Sequence, residues 1–263
     1  LHLSLRRQRQ MCIRDSLKKE RAATEAQLKE LAEQKAQALA REDFKGGYQI
    51  EYVRDEKGEP LAHSIVDTMM RVQLPVASGR TVSFSIGWQH NIVDAKAIRA
   101  RGGYEYFKED DNYIYTIAQW YPRVAAFTDV NGWQNKQFLG RGEFALEFGD
   151  YEVSLTVPSD HIVAATGTLQ NAGEVLSEVQ RERLRRAEGS DEPSFIVTPE
   201  EARKNEENKE GGAKTWVFRA ENVRDFAWAS SRKFIWDAAH VQVGEKKERV
   251  WAMSFFPNEG EPL

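Results

Sequence analysis

Along Val82–Trp88 every second side chain is large and apolar: Val82, Phe84, Ile86 and Trp88 alternate with Thr81, Ser83, Ser85 and Gly87. A period of two puts the four on one side of an extended chain and leaves the other side polar, which is the pattern of a half-buried strand. The pattern returns at Val153, Leu155 and Val157, which alternate with Glu152, Ser154 and Thr156. Just before it, Phe144, Leu146 and Phe148 oppose Glu143 and Glu147, with Gly149-Asp150 between the two runs. A Gly-X pair joining two alternating runs predicts a hairpin. Tyr48–Val53 and the extended run from His63 to Leu74 predict another, across the turn cluster Asp55–Pro60. Further strands are predicted at Tyr113–Tyr121, Ile162–Thr166, Thr215–Ala220, Phe226–Ala229 and Val250–Phe256. Short strands, frequent turns and few helices predict a mainly β chain, a β-sandwich or saddle-like β domain.

Two segments break the pattern. Residues 17–43 are rich in Ala, Leu, Glu, Lys and Gln and lack glycine and proline, so they predict a helix. Arg21 and Lys35 interrupt its heptad, and its Leu28 and Leu31 are expected to lie on a neighbouring surface. Residues 171–210 hold eleven acidic and seven basic residues and almost no aromatics, which predicts an exposed helical insertion over about 171–213. Within it, Gly189-Ser190 stops one helix, and Pro199 after Thr198 starts another. Residues 94–112 read as loop. Residues 1–16 have the character of a translated sequencing adaptor, a non-native segment outside fold reasoning; the other reading is a flexible basic arm.

Charge and motifs narrow the function classes. The chain of 263 residues carries 37 basic and 41 acidic residues, a formal charge of −4, which argues against nucleic acid as a partner. No run approaches the ~20 apolar residues of a membrane-spanning helix. The single cysteine, Cys12, excludes an internal disulfide and a Cys-rich zinc site. None of His2, His63, His90, His161 and His240 has a second histidine three or four residues away, and no HExxH occurs. There is no G-x-S-x-G elbow and no phosphate loop; Gly140-Arg141-Gly142 precedes a strand and reads as a turn. The run Glu109-Asp110-Asp111 lacks the spacing of a calcium loop and reads as a solvated loop. The aromatic cluster Trp120, Tyr121, Phe127 and Trp133 reads as core, with a ligand-binding platform as the other reading. Strand alternation through Gln119-Trp120-Tyr121 sends Gln119 and Tyr121 to one face and Trp120 to the other.

Several of these residues carry a resemblance. Ala118-Gln119-Trp120-Tyr121-Pro122-Arg123 and Asp129-Val130-Asn131-Gly132-Trp133 resemble the aminopeptidase N family, the gluzincin zinc aminopeptidases. Gly140–Phe144 and Glu147–Tyr151 resemble its bacterial branch. Phe44–Tyr48, Val157-Pro158, Val163–Gly167 and Asn222–Ala229 continue the likeness, which runs from about Phe44 to Leu263. The resemblance implies the N-terminal β domain, incomplete at its start, that precedes the catalytic domain in that family. It implies no catalytic residue and no metal ligand within this chain. The family's HExxH, its more distant Glu ligand and its zinc, which polarises a peptide carbonyl and activates a water, belong to the catalytic domain.

The resemblance implies that the β domain closes over the active site of an intact parent. Gln119 falls on the Gln of a segment that lines the first substrate pocket. Tyr121 falls where many members carry Glu, and a phenol cannot offer a carboxylate's charge to a peptide ammonium. The implied partners are the chain's own catalytic domain and a peptide substrate, with export to the periplasm or beyond the cell as the implied location. The alternative expectation is a stand-alone, non-catalytic β-sandwich module that binds peptide or glycan through the same aromatics.

Overall fold

The computed structural model of the chain describes residues 25–98, 100–137, 145–245 and 248–260. The adaptor-like residues 1–16, the first part of the predicted N-terminal helix and the Gly140-Arg141-Gly142 turn lie outside the described residues.

The chain is mainly β, with its strands in small antiparallel sheets. Helix α1 covers residues 25–43, as its helix-forming composition requires. Its Leu face is not covered: Leu28, Leu31 and Leu39 are 62%, 63% and 52% exposed. The expectation that this face lies on a neighbour fails; the helix is tied down at its C-terminal end, where the Arg41 guanidinium donates to the Ile98 carbonyl at 3.0 and 3.2 Å.

Strand β1 (Gln49–Asp55) pairs antiparallel with β4 (Phe84–Gln89), not with the run that follows it. That run forms its own hairpin, β2 (His63–Val66) and β3 (Met69–Val72), around Asp67 in left-handed backbone at φ +49°. Pro60 has no N–H to extend a ladder with β1, so that contact stays an isolated bridge to Arg54. Residues 94–112 are also more than loop. Asp94 caps α2 (Ala95–Ile98) through hydrogen bonds from the Lys96 and Ala97 N–H groups, and β5 (Gly103–Phe107) forms a hairpin with β6 (Asn112–Ile117). Gly103, at φ +140°, lies so close to Val93 that an added Cβ would be 2.2 Å from its carbonyl oxygen, so only glycine fits.

Strands β7 (Phe127–Thr128) and β8 (Gly132–Trp133) form a small hairpin. The hairpin predicted at Gly149-Asp150 does not form. The pair opens the ten-residue β9 (Gly149–Pro158), whose partner is the distant β13 (Ala213–Val223). Asp150 accepts the Asn222 N–H at 2.8 Å and fixes that register. Between them lie β10 (Ile162–Ala165), β11 (Thr168–Leu169), α3 (Ala172–Val175), α4 (Glu178–Glu188), β12 (Ser194–Val197) and α5 (Pro199–Asn208). Helices α4 and α5 begin at complete capping boxes, Ser177 with Gln180 and Thr198 with Glu201. This charged segment is not an exposed excursion. Val175, Leu176, Ala187, Ile196 and Val197 share one core with Leu155, Trp216, Phe218, Phe226 and Trp236. The charges occupy the outer faces of helices whose inner faces carry small and branched apolar residues.

The chain closes with β14 (Trp228–Ser231), β15 (Ile235–Val243), β16 (Glu248–Phe256) and a 3-10 turn, Asn258–Gly260. The largest sheet runs β10-β14-β6-β5, and two three-stranded sheets run β11-β13-β9 and β12-β15-β16. β15, absent from the sequence-based strands, is the most buried of them, with Ile235, Trp236, Ala238, Ala239 and His240 inside.

Charged groups are buried where β14 leads into β15. The Lys233 side chain is wholly enclosed. Its ammonium is bonded to Asp110, lies 2.8 Å from Glu259 and 3.3 Å from Glu206, and sits over the Phe107 ring. Burial works against its charge, but the bonds to Asp110 and Glu259 outweigh this and raise its pKa. Burial likewise works to raise the Asp110 carboxyl, yet Lys233 and Asn112 hold it below the usual range. Nearby, Asp160 pairs with Arg232 at 3.1 Å, and His161 Nδ1 meets the Ser230 hydroxyl at 2.7 Å. Burial, aided by Arg232, pushes the His161 imidazole down to about 4.

Replacing Lys233 by Met strands three carboxylates against an apolar neighbour. The expected loss is about 3 kcal/mol in urea denaturation, the low end for a broken buried pair because Glu259 is half exposed. The signs of the pH dependence follow from the shifts. Asp110 is depressed, so its contribution is present above its ordinary value and lost as pH falls through the depressed one; Lys233 is raised, so its contribution is lost only as pH rises above the ordinary lysine range. His161 is depressed from 6.5, so stability declines as pH falls from there toward about 4, and NMR titration is expected to find it still neutral at pH 5.5.

Candidate functional site

Strand β6 ends at the buried Ile117, two residues before the position the sequence singles out. Gln119 then takes φ +53°, left-handed backbone that an L-residue occupies at a cost of about 1–2 kcal/mol. The predicted alternation through Gln119-Trp120-Tyr121 therefore does not apply, because the segment is not extended.

Groups from two directions hold this turn. From the β1–β4 side, the Tyr48 hydroxyl donates to the Gln119 carbonyl at 2.9 Å, and Trp88 Nε1 donates to the Trp120 carbonyl at 3.2 Å. From the β13–β14 connection, the Phe226 carbonyl accepts from Trp120 Nε1 at 3.0 Å. Asp225 is the hub of that side. Its Oδ1 accepts the Tyr121 hydroxyl at 3.0 Å and the Phe226 N–H at 2.8 Å, and it lies 3.0 Å from Arg123 Nη1. The Arg123 guanidinium also sits over the Tyr121 ring. Burial, then hydrogen bonding with Tyr151 and Asp225, raises the Tyr121 phenol far above its ordinary value, so it stays a neutral donor.

The structure thus gives the two sequence-derived residues different surroundings. Gln119 is exposed on a fixed backbone. Tyr121 is partly buried against the core, between Trp120 and Tyr151, and its hydroxyl is committed to Asp225. The arrangement presents one amide, able to donate and accept, on a rigid support. The Asp225 carboxylate accepts from the Tyr121 hydroxyl, and Arg123 neutralises it. Sequence reasoning gave no role to Asp225, Arg123, Tyr48 or Trp88; their positions are separated by up to 177 residues only in chain order, and no local spacing marks them as one cluster.

The other candidates divide. Trp120 and Tyr121 pack on the core as expected, but Phe127 and Trp133 are each 58% exposed and contact each other edge to face at 5.2 Å. Glu109-Asp110-Asp111 is not simply a solvated loop, since Asp110 holds Lys233 and Asp111 holds Lys209 at 2.9 Å. His161 and His240 are buried, and His240 Nδ1 meets the Glu188 carbonyl at 2.7 Å. Among the described residues no group of three or more His, Cys, Asp or Glu side chains is placed to hold a metal ion. No helix of the described residues is long and apolar enough to cross a membrane. No protein-family model, no curated protein and no solved structure matches the chain.

Two substitutions separate support from strain. Gln119→Gly is expected to stabilise the fold by about 0.5–1 kcal/mol, because glycine occupies the left-handed region without the Cβ penalty. Asp225→Ala leaves a phenol and a backbone N–H without their shared acceptor and the Arg123 guanidinium without its counter-charge, and is expected to cost about 2–3 kcal/mol. Urea denaturation of both variants checks the two signs.

Proposed function

We propose that this chain is the β domain that caps the substrate pocket of a zinc-dependent aminopeptidase of the gluzincin type. The observation that carries the reading is Gln119. The residue that the resemblance sets against the substrate is exposed, in costly backbone, with its peptide group held by Tyr48 and its flanking residue by Trp88 and Phe226. Strain of this kind persists only where the surroundings over-determine it, and it concentrates where a side chain must be aimed.

In this reading the Gln119 amide hydrogen-bonds the amino end of a peptide, and the Tyr121–Asp225–Arg123 group is a positioning device. Tyr121 lines the pocket as an apolar ring with a committed hydroxyl. The positive charge of a peptide amine is then met by groups outside this chain, because Asp225 already carries a guanidinium. The zinc ligands and the catalytic base also lie outside these 263 residues. The chain by itself is expected to be inactive.

Reading the coding DNA past codon 263 tests the proposal. HExxH in frame, followed by a more distant Glu, is expected. In the protein so completed, Gln119→Ala should raise KM for aminoacyl anilides about 3–10-fold with a smaller change in kcat, the size of one lost hydrogen bond. A stop codon at position 264, or stoichiometric zinc with anilide cleavage by the chain alone, would overturn the reading.

A further inference from the structure

Four tyrosines stand together on one face of the β5–β6 hairpin. The register sets Tyr104 opposite Tyr115 and Tyr106 opposite Tyr113, and residues two apart on a strand share a face. Their rings form a continuous surface. Tyr106 lies 4.8 Å from Tyr113, and Tyr113 lies 6.1 Å from Tyr115 with only 19° between their planes. Tyr104 closes the group, 5.8 Å from Tyr113 and 6.5 Å from Tyr115. Tyr106 and Tyr113 remain 42% and 39% exposed. The hairpin's other face turns Asn112 fully inside. Apolar rings of this size are normally spent on a core, and β6 had that face available for them.

One end of the shelf is polar and fixed. The Tyr106 hydroxyl donates to Asp111 Oδ1 at 3.1 Å, and Asp111 Oδ2 takes the Lys209 ammonium at 2.9 Å. This pair joins the hairpin turn to the C-cap of α5 and offers a carboxylate acceptor and an ammonium donor side by side. At the other end, Asp94 lies near Tyr104. Burial holds the Tyr104 and Tyr115 hydroxyls above their ordinary value, so they too remain protonated donors.

We propose that this tyrosine shelf is a binding site for a neutral saccharide chain, with pyranose rings lying on Tyr106 and Tyr113 and their hydroxyls meeting Asp111 and Lys209. The chemistry of the rim selects this occupant. Sugar hydroxyls both donate and accept, so they serve a carboxylate and an ammonium together. A proline-rich peptide offers carbonyl acceptors but few donors for Asp111, because proline has no N–H. A cationic ligand would face the Lys209 ammonium, and a nucleic acid or anionic lipid would face Asp94 and Asp111 on a chain of net charge −4. The inference uses none of the residues assigned to the peptide pocket, and it stands or falls apart from that reading.

Affinity electrophoresis of the full chain through native gels containing soluble neutral polysaccharides (β-glucan, xylan, galactomannan and hydroxyethylcellulose, one per gel) tests it, with calorimetry on the matching hexasaccharide. Retardation by at least one of them is expected. Tyr113→Ala should weaken binding about tenfold, Tyr106→Ala several-fold, and Tyr113→Phe less than Tyr113→Ala, since it keeps the stacking ring. Trp133→Ala, on the separate exposed hairpin, should change nothing. Circular dichroism confirms that each variant folds; should Tyr113→Ala unfold, Tyr106→Ala and Tyr113→Phe carry the comparison. The proposal is overturned if no neutral polysaccharide retards the chain, if Trp133→Ala abolishes retardation as fully as Tyr113→Ala, or if the tyrosine variants lose binding to a proline-rich peptide or to vesicles instead.

Discussion

One ammonium group decides how the C-terminal part of this chain meets the rest. Lys233 is completely enclosed, and its charge is bearable only because three carboxylates reach it from three separate places: the β5–β6 turn, helix α5 and the terminal 3-10 turn. Each carboxylate fixes the position of its own element against the start of β15. An apolar residue there would bury as well but would not specify which three segments must converge. The same stretch carries Ser230, bonded to His161 in the β9–β10 connection, and Ser231 and Arg232, bonded to the Tyr113 carbonyl and to Asn112 on β6. A short run of consecutive residues thus registers the central sheet against the helical segment.

That convergence explains why the charged segment 171–213 belongs to the core. Its helices supply Glu206 to Lys233 and Lys209 to Asp111, while their inner faces supply Val175, Ala187 and Ala202. Charge density alone describes the outer surface of such a segment. It says nothing about an inner face made of a few small residues, where alanine buries completely without raising the apolar fraction much.

What could be read from the chain follows from the range of the interactions. Helix caps and stops at Thr198, Pro199 and Gly189 are local and were legible to within a residue or two. Alternation located β4 and β9 for the same reason. Partners were not legible, because nothing local distinguishes a strand that pairs with its neighbour from one that pairs sixty residues away. Gly149-Asp150 has the composition of a hairpin turn, yet β13 extends the β9 ladder through it. β15 escaped notice because a strand buried on both faces has no polar alternation to display. At the candidate site, Gln119 was visible as a residue, but its left-handed backbone and the hub at Asp225 depend on groups brought from β1, β4 and the β13–β14 connection.

Strand β6 links the two surface features. It carries Tyr113 and Tyr115 on the face that also holds Tyr104 and Tyr106, and its last residue leads within two positions to Gln119. It is an inner strand, paired with β5 on one side and β14 on the other, so neither end can shift without disturbing two ladders. Side chains that must meet a ligand gain most from such a place. The backbone is held by hydrogen bonds that cost the surface nothing, and the groups at the strand's end and on its open face stay free to be chosen for chemistry rather than packing. A core explanation accounts for Trp120 and Tyr121, whose polar atoms all turn inward. It does not account for the adjoining Tyr106 and Tyr113 rings left exposed, nor for an exposed glutamine kept in backbone that glycine would occupy at less cost.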